Sequence, residues 1–211
     1  MTVKIDTKTF KQGAEELARR DKDFKRLYET IGLPCLRSRA TGYGSILKII
    51  NAQQVSVAAA KAINGRLDAI EKPMRPETFL TLTEKQFKAI GLSRQKAAYG
   101  RSIAEAVVDE GFSFRRVARM NDEDAITALS SLKGVGQWTA EVYLLFALRR
   151  PDLWPVDDLG VIKGLTHLKE LAQRPNRDQM LAIGEAWRPW RSVAARLLWH
   201  HIGSVESNKK K

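Results

Sequence analysis

The stretch Leu132-Lys133-Gly134-Val135-Gly136-Gln137-Trp138-Thr139-Ala140 decides how the rest of the chain is read. Two glycines around one small apolar residue let a backbone turn sharply and aim its amides outward. Upstream, Ala125, Ala128, Leu129 and Leu132 recur at helical spacing behind Asn121 or Asp122, so a helix leads into the turn. Downstream, a helix from 137 to about 148 is apolar nearly all round and contains the longest unbroken apolar run, 142–148. That helix is expected at the centre of the fold. An anion such as a phosphate can sit on the amides of the turn, helped by the positive N-terminal end of the second helix, with Lys133 and Thr139 in reach of the same group. The plain alternative is a helix-to-helix connection with a glycine C-cap.

The same unit recurs earlier in the chain. Gly91-Leu92-Ser93 occupies the place of Gly134-Val135-Gly136, and Ala97 falls where Ala140 falls. Thr83 and Gln86 have the spacing of a capping box and Leu82 and Phe87 that of a hydrophobic staple, so a short helix starts there and stops at Gly91. Ser93 then caps a longer helix running toward Gly111. After the central helix, Arg149, Arg150 and Pro151 break the pattern, and Asp157 or Asp158 opens a helix through Ile162 and Leu165. Further helices are expected over 177–185 and 191–201, with a basic tail over 206–211. No window alternates as a strand does, so the fold class is all-α.

Composition narrows the partners. The 211 residues hold 36 Lys plus Arg against 24 Asp plus Glu, a formal charge of +12, while 44% hydrophobic residues suffice for a packed core. Such an excess favours polyanions, because basic groups on phosphates release condensed counterions; a merely solubilising surface is the alternative. The apolar runs predict no membrane span and no secretory signal. The lone Cys35 forms no internal disulfide and does not supply the thiolates of an iron–sulfur cluster. His167, His200 and His201 lack metal-site spacing and read as surface or packing residues. These features predict an intracellular chain.

Two further groups carry chemistry. A carboxylate at Asp157 or Asp158 stands at the start of a helix, whose positive end favours an anion, and there it can stabilise a developing cation or orient a water; one of the two is expected to be an N-cap. All five tryptophans, Trp138, Trp154, Trp187, Trp190 and Trp199, lie in the last third of the chain. Aromatic walls can hold a flipped-out base, a cationic one above all. Trp187 and Trp190, around Pro189, read as core; Trp138, close behind the glycine turn, should lie near whatever that turn binds.

Taken in order, Ala52-Gln53-Gln54-Val55-Ser56-Val57, Gly91-Leu92-Ser93 with Lys96-Ala97, the nonapeptide from Leu132, Asp158-Leu159-Gly160-Val161 and Trp187-Arg188-Pro189-Trp190-Arg191-Ser192 resemble one family. It is the helix-hairpin-helix (HhH-GPD) DNA glycosylase superfamily, in its 3-methyladenine DNA glycosylase II (AlkA/Mag) branch. The resemblance runs over about 45–200. It implies a two-lobed helical bundle with a cleft between lobes, a central lobe of about 36–148 and a second of about 1–35 plus 149–205. It also implies monofunctional hydrolysis of the N-glycosidic bond of alkylated purines in duplex DNA, by base flipping, in base-excision repair.

Residue by residue, the resemblance makes Asp158 catalytic, heading an Asp-x-x-apolar-x-basic stretch with Val161 and Lys163. It puts Trp138 and Trp199 beside the flipped base and makes Gln54 the wedge into the duplex. It assigns DNA contacts to Gln53, Ser56, Ser93, Lys96, Lys133, Gly134, Val135, Gly136 and Thr139. The backbone carbonyls of Ser130, Leu132 and Val135 match a hairpin position where Na+ or K+ bridges protein and phosphate; no other cofactor is implied. Bifunctional relatives carry a lysine where this chain has Trp138, so no lyase activity is expected. The four-cysteine cluster of another branch is absent, as is room for an N-terminal β-rich domain, and Gln54 replaces an apolar wedge. The expected partner is double-stranded DNA with alkylated bases, met by a monomer in the cytoplasm or nucleoid of a bacterium or the nucleus of a eukaryote. A non-catalytic damage-binding module and a glycosylase for mismatched or oxidised bases are the alternative readings.

Overall fold

The computed structural model describes residues 4–36 and 39–208, the side chain of Asn208 excepted. Among the described residues there are thirteen helices and no strand. The chain divides into two compact units, one of Met1–Arg37 with Arg149–Lys211 and one of Ser38–Leu148. No described helix is long and apolar enough to cross a membrane.

The continuous unit holds α3 (Tyr43–Ala52), α4 (Val57–Ile70), α5 (Pro76–Leu80), α6 (Glu84–Ile90), α7 (Arg94–Val108), α8 (Phe114–Val117), α9 (Asp122–Ser130) and α10 (Gln137–Phe146). α10 is its axis. Thr139 through Leu145 are all buried, and α10 packs on α3 and α9, as a helix apolar on every side must. The phenol of Tyr143 accepts the Gly42 N–H at 2.8 Å, and burial pushes its pKa up to about 12. The capping box of α6 forms between Thr83 and Gln86, with Leu82 and Phe87 both buried beside it.

The repeat is real in the backbone. Gly91 ends α6 at φ 89° and Gly134 follows α9 at φ 83°, both left-handed. Ser93 and Gly136 are the N-caps of α7 and α10, and Ala97 and Ala140 are both buried beneath them. A third helix-turn-helix precedes these two: α3 passes through Gln53, Gln54 and Val55 to Ser56, the N-cap of α4.

The discontinuous unit holds α1 (Thr7–Arg20), α2 (Lys22–Ile31), α11 (Leu159–Leu168), α12 (Arg177–Glu185) and α13 (Arg191–Asn208). Its core is built on tryptophan. Trp187 meets Phe24 and Trp154 edge-on at 5.1 and 5.2 Å, and its indole N–H donates to Asp21 at 3.2 Å. Trp154 donates to the Met180 carbonyl, and Trp190 to Glu16, each at 2.8 Å. All three indoles are buried with their N–H paired, which makes them structural. His167 Nδ1 and His201 Nε2 share a hydrogen bond at 2.9 Å, and no group of three metal-ligating side chains occurs among the described residues.

Three boundaries differ from expectation. α13 runs on to Asn208, so Glu206 and Ser207 belong to a helix and not to a basic tail, because Ile202 and Val205 continue its half-buried face. Lys209 to Lys211 lie outside the described residues. α10 stops at Phe146, and α7 at Val108.

Candidate functional site

In the continuous unit the site is built from three turns. After α9, the Val135 N–H donates back to the Leu132 carbonyl at 3.1 Å, closing a turn through Lys133 and the left-handed Gly134. A Cβ on Gly134 would stand 2.9 Å from Tyr99 Cε2 and nearer still to Cγ and Cδ2, so the position admits only glycine on two counts. Gly136 is different. Its φ of −87° and ψ of 175° suit any residue, and a Cβ there would meet nothing within 4 Å. The sharp turn is therefore the work of Gly134 alone, a correction to the reading of both glycines as turn formers.

What Gly136 contributes is access. The first turns of α4 and α7 are capped by side chains: Ser56 Oγ accepts from the Ala59 N–H at 3.1 Å and Ser93 Oγ from the Lys96 N–H at 3.2 Å. No side chain caps α10. Its leading N–H groups, unmatched inside any helix, sit behind a residue without a side chain, which is the surface an approaching phosphate needs.

The nine residues expected to touch DNA sort into two groups. Ser56, Ser93, Lys133 and Gly136 are exposed and Gly134 is partly so. Thr139 and the side chain of Val135 are buried at 2% and 4% exposure, and the Val135 N–H is engaged inside the turn. Gln53 and Lys96 also face inward: Gln53 Nε2 donates to the Gly134 carbonyl at 3.2 Å and to Thr139 Oγ1 at 3.0 Å, and Lys96 Nζ donates to the carbonyls of Asn51 and Gln53 at 2.9 and 2.8 Å. Partial burial on these carbonyls holds the Lys96 ammonium below the ordinary lysine value. Thr139, Gln53 and Lys96 thus brace the turns from behind, where a direct contact with DNA was expected of them. Gln54 is exposed, Trp138 half-buried.

In the discontinuous unit, Asp158 is the N-cap of α11, and Asp157 stands outside the helix, paired with Arg177 at the surface. One Asp158 oxygen, Oδ1, accepts two hydrogen bonds, from the Val161 N–H and from the Trp199 indole N–H, each at 2.8 Å. The two donors come from different helices, α11 and α13, and fix the carboxylate from two directions. Trp199, expected as a wall beside a base, is also the partner that orients Asp158.

Gly160 makes this possible and was missed. A Cβ on it would lie 2.7 Å from Trp199 Cδ1, 2.9 Å from its Nε1 and 3.1 Å from Asp158 Oδ1. The available signal was a glycine in the first turn of an otherwise apolar helix, where a better helix former costs less.

With this geometry in hand, the comparisons define the class. The family model described as HhH-GPD superfamily base excision DNA repair protein matches residues 47–189, and the chain belongs to that superfamily. Within it, the chain is 32% identical over 186 residues to DNA-3-methyladenine glycosylase 1 of Schizosaccharomyces pombe, covering 85% of this chain and 82% of that relative. The solved structure of the Schizosaccharomyces pombe 3-methyladenine DNA glycosylase in complex with abasic DNA is similar with a TM-score of 0.81 and 30% identity, over 89% of this chain and 95% of the other. A DNA-3-methyladenine glycosidase from Bacillus halodurans is similar with a TM-score of 0.78 and 26% identity, over 98% of this chain and 94% of the other.

Proposed function

We propose that this chain is a DNA glycosylase that hydrolyses the N-glycosidic bond of alkylated purines in duplex DNA, as its relatives' names imply for them. The observation that carries the reading is Asp158, held by two N–H donors on one oxygen at the head of α11. A fixed carboxylate is suited to a reaction in which positive charge develops on a sugar.

The chain's own residues divide the work. The uncapped amides of α10, with Lys133 beside them, take a phosphate and set the register on the duplex without reading sequence. Gln54 enters the stack where the damaged nucleotide leaves it. An alkylated purine is already cationic, so Trp138 attracts it more than a neutral base, and it departs with little acid assistance. The C1′–N bond breaks with its electron pair leaving on the base. Asp158 stabilises the sugar cation, and water adds its oxygen to C1′ and gives up a proton. The products are a free base and an abasic site.

We also propose that the activity is monofunctional, since Trp138 offers no amine to attack C1′. An alkali cation on the carbonyls of Ser130, Leu132 and Val135 remains a proposal too. These are neutral oxygen donors of the kind hard cations take, and the Leu132 oxygen already accepts the Val135 N–H. Such an ion would add positive charge beside the phosphate. The deciding experiment is release of free base from methylated duplex, with a borohydride trap run alongside. Base release without a trapped adduct is expected. No release overturns the glycosylase reading, and a trapped adduct overturns the monofunctional one.

A further inference from the structure

Gln54 has φ 53°, a left-handed backbone at a residue that carries a side chain. Nothing intrinsic to glutamine favours it, so its neighbours must impose it. Gln53, just before it, is fastened at both ends. Its carbonyl accepts from Lys96 Nζ at 2.8 Å, and its amide donates to the Gly134 carbonyl and to Thr139 Oγ1 at 3.2 and 3.0 Å. Those two bonds use both protons of the amide. Lys96, on the first turn of α7, also holds the Asn51 carbonyl at 2.9 Å and so fixes the end of α3.

One residue pair therefore ties together all three turns: α3 to α4, α6 to α7 and α9 to α10. Beyond the knot, the tip is exposed and partly apolar, with Gln54 open, Val55 39% exposed and Val57 87% exposed. Backbone strain at an exposed tip, imposed from a half-buried network, is the pattern of a part held ready for use.

We propose that Gln53 and Lys96 are positioning residues, which hold Gln54 in its left-handed conformation and couple the phosphate-binding turn at Gly134 to the wedge. This rests on the reading of the chain as a base-flipping glycosylase. Positioning accounts for the geometry better than a direct grip on DNA, because both protons of the Gln53 amide are engaged and the Lys96 ammonium sits on two carbonyls. Grip and unstacking then become linked: a phosphate seated on α10 stiffens the Gly134 turn, and that turn is bonded to the residue preceding the wedge.

The test is a double-variant cycle. Lys96→Met and Gln53→Glu, which keeps the shape and loses the amide donors, are each made alone and together with Gln54→Gly. Three quantities are read: single-turnover base release, affinity for undamaged duplex as a function of salt, and emission of a 2-aminopurine placed next to an abasic-site analogue. Unfolding midpoints show that each variant is folded, and either variant suffices if the other is not. Each single variant should slow release and lower the 2-aminopurine response about tenfold, with affinity for undamaged duplex within about threefold; in the Gln54→Gly background each should add less than about twofold. Equal losses in both backgrounds overturn the proposal. So does a fall of about one in the salt slope of binding for Lys96→Met, since that marks a phosphate contact. If the wild type releases no base yet its 2-aminopurine response depends on Gln53 and Lys96, the glycosylase reading fails and the positioning role stands.

Discussion

Replacing Gly134 and Gly136 one at a time separates what the hairpin needs to fold from what it needs to bind. At Gly134 the left-handed φ of 83° costs an L residue about 1–2 kcal/mol, and forcing a Cβ against the Tyr99 ring adds about 1–3 kcal/mol. Gly134→Ala should therefore destabilise by about 2–5 kcal/mol and lower the unfolding midpoint by roughly 5–15 °C for a chain of this size. At Gly136 two small effects oppose: a stiffer unfolded chain contributes about 0.4–1 kcal/mol, and an alanine N-cap costs about 0.5–1 kcal/mol. Gly136→Ala should leave the midpoint almost unchanged. Its methyl group nevertheless stands in front of the uncapped amides of α10, and a phosphate pushed off them should weaken binding about tenfold, equivalent to about 1.4 kcal/mol. Thermal unfolding read beside fluorescence anisotropy, at fixed salt on damaged and undamaged duplexes, measures both. Equal losses on the two duplexes are expected of Gly136→Ala, because phosphates carry no damage signal. Wild-type affinity in Gly136→Ala would refute the placing of the phosphate. A wild-type midpoint in Gly134→Ala would refute the argument from Tyr99 and the left-handed turn.

Other perturbations should behave as follows. Asp158→Asn should abolish base release and leave DNA affinity about unchanged, whereas Asp157→Asn, which loses only a surface pair with Arg177, should retain most activity in the same base-release assay. Trp199→Phe keeps an aromatic ring, though a smaller one, and removes the indole N–H donor to Asp158, so single-turnover release should fall about tenfold with little change in Kd; an unchanged rate would show that the hydrogen bond does not orient the carboxylate. Lys169→Met should cost about 1–3 kcal/mol at neutral pH in urea unfolding, because it leaves the Asp21 carboxylate beside Trp187 without its cation and Asp23 with Arg26 alone. Burial raises the Asp21 carboxyl, but the Lys169 ammonium and the N–H groups of Asp23 and Trp187 prevail and hold it below its ordinary 3.8. Its stabilisation is thus complete above that value and lost as pH falls through the folded one, so the gap between wild type and Lys169→Met should close in acid; a constant gap would show the cluster to be inert.

The parts of the structure legible in the sequence are those where one local signal decides. Thr83 with Gln86, Ser93, Asn121 and the two left-handed glycines each set a helix end within a few residues, and the apolar run around Tyr143 marked the central helix. The carboxylate could be narrowed to Asp157 or Asp158 by helix capping, and Asp158 does cap α11. What stayed hidden depends on distant residues. Gln53 and Thr139 are far apart in the chain, and nothing local in either reports that one hydrogen-bonds the other. Both look like free polar groups available to DNA until the turns are folded together. Gly160 likewise reads as a weak helix residue until Trp199 is laid over it. The end of α13 was set by Ile202 and Val205 prolonging a face, against the polar composition that suggested a tail.

The unit Ser38–Leu148 is continuous, while its companion is made from both ends of the chain. That arrangement orders events during synthesis. All residues of the hairpin unit have been made before α11, α12 and α13 exist, so its three turns can knit while α1 and α2 still lack the helices they pack against. The Phe24 side chain, buried against Trp187 in the finished protein, must remain solvated or sheltered by a chaperone for that interval. A nascent chain halted just past Leu148 should therefore present its apolar surface on α1 and α2 and little on α10, and closing the long excursion between the two halves adds only slowly to the entropic cost as its length grows. The unit that carries the hairpin turns is complete first, and the unit that bears the Asp158 carboxylate comes last.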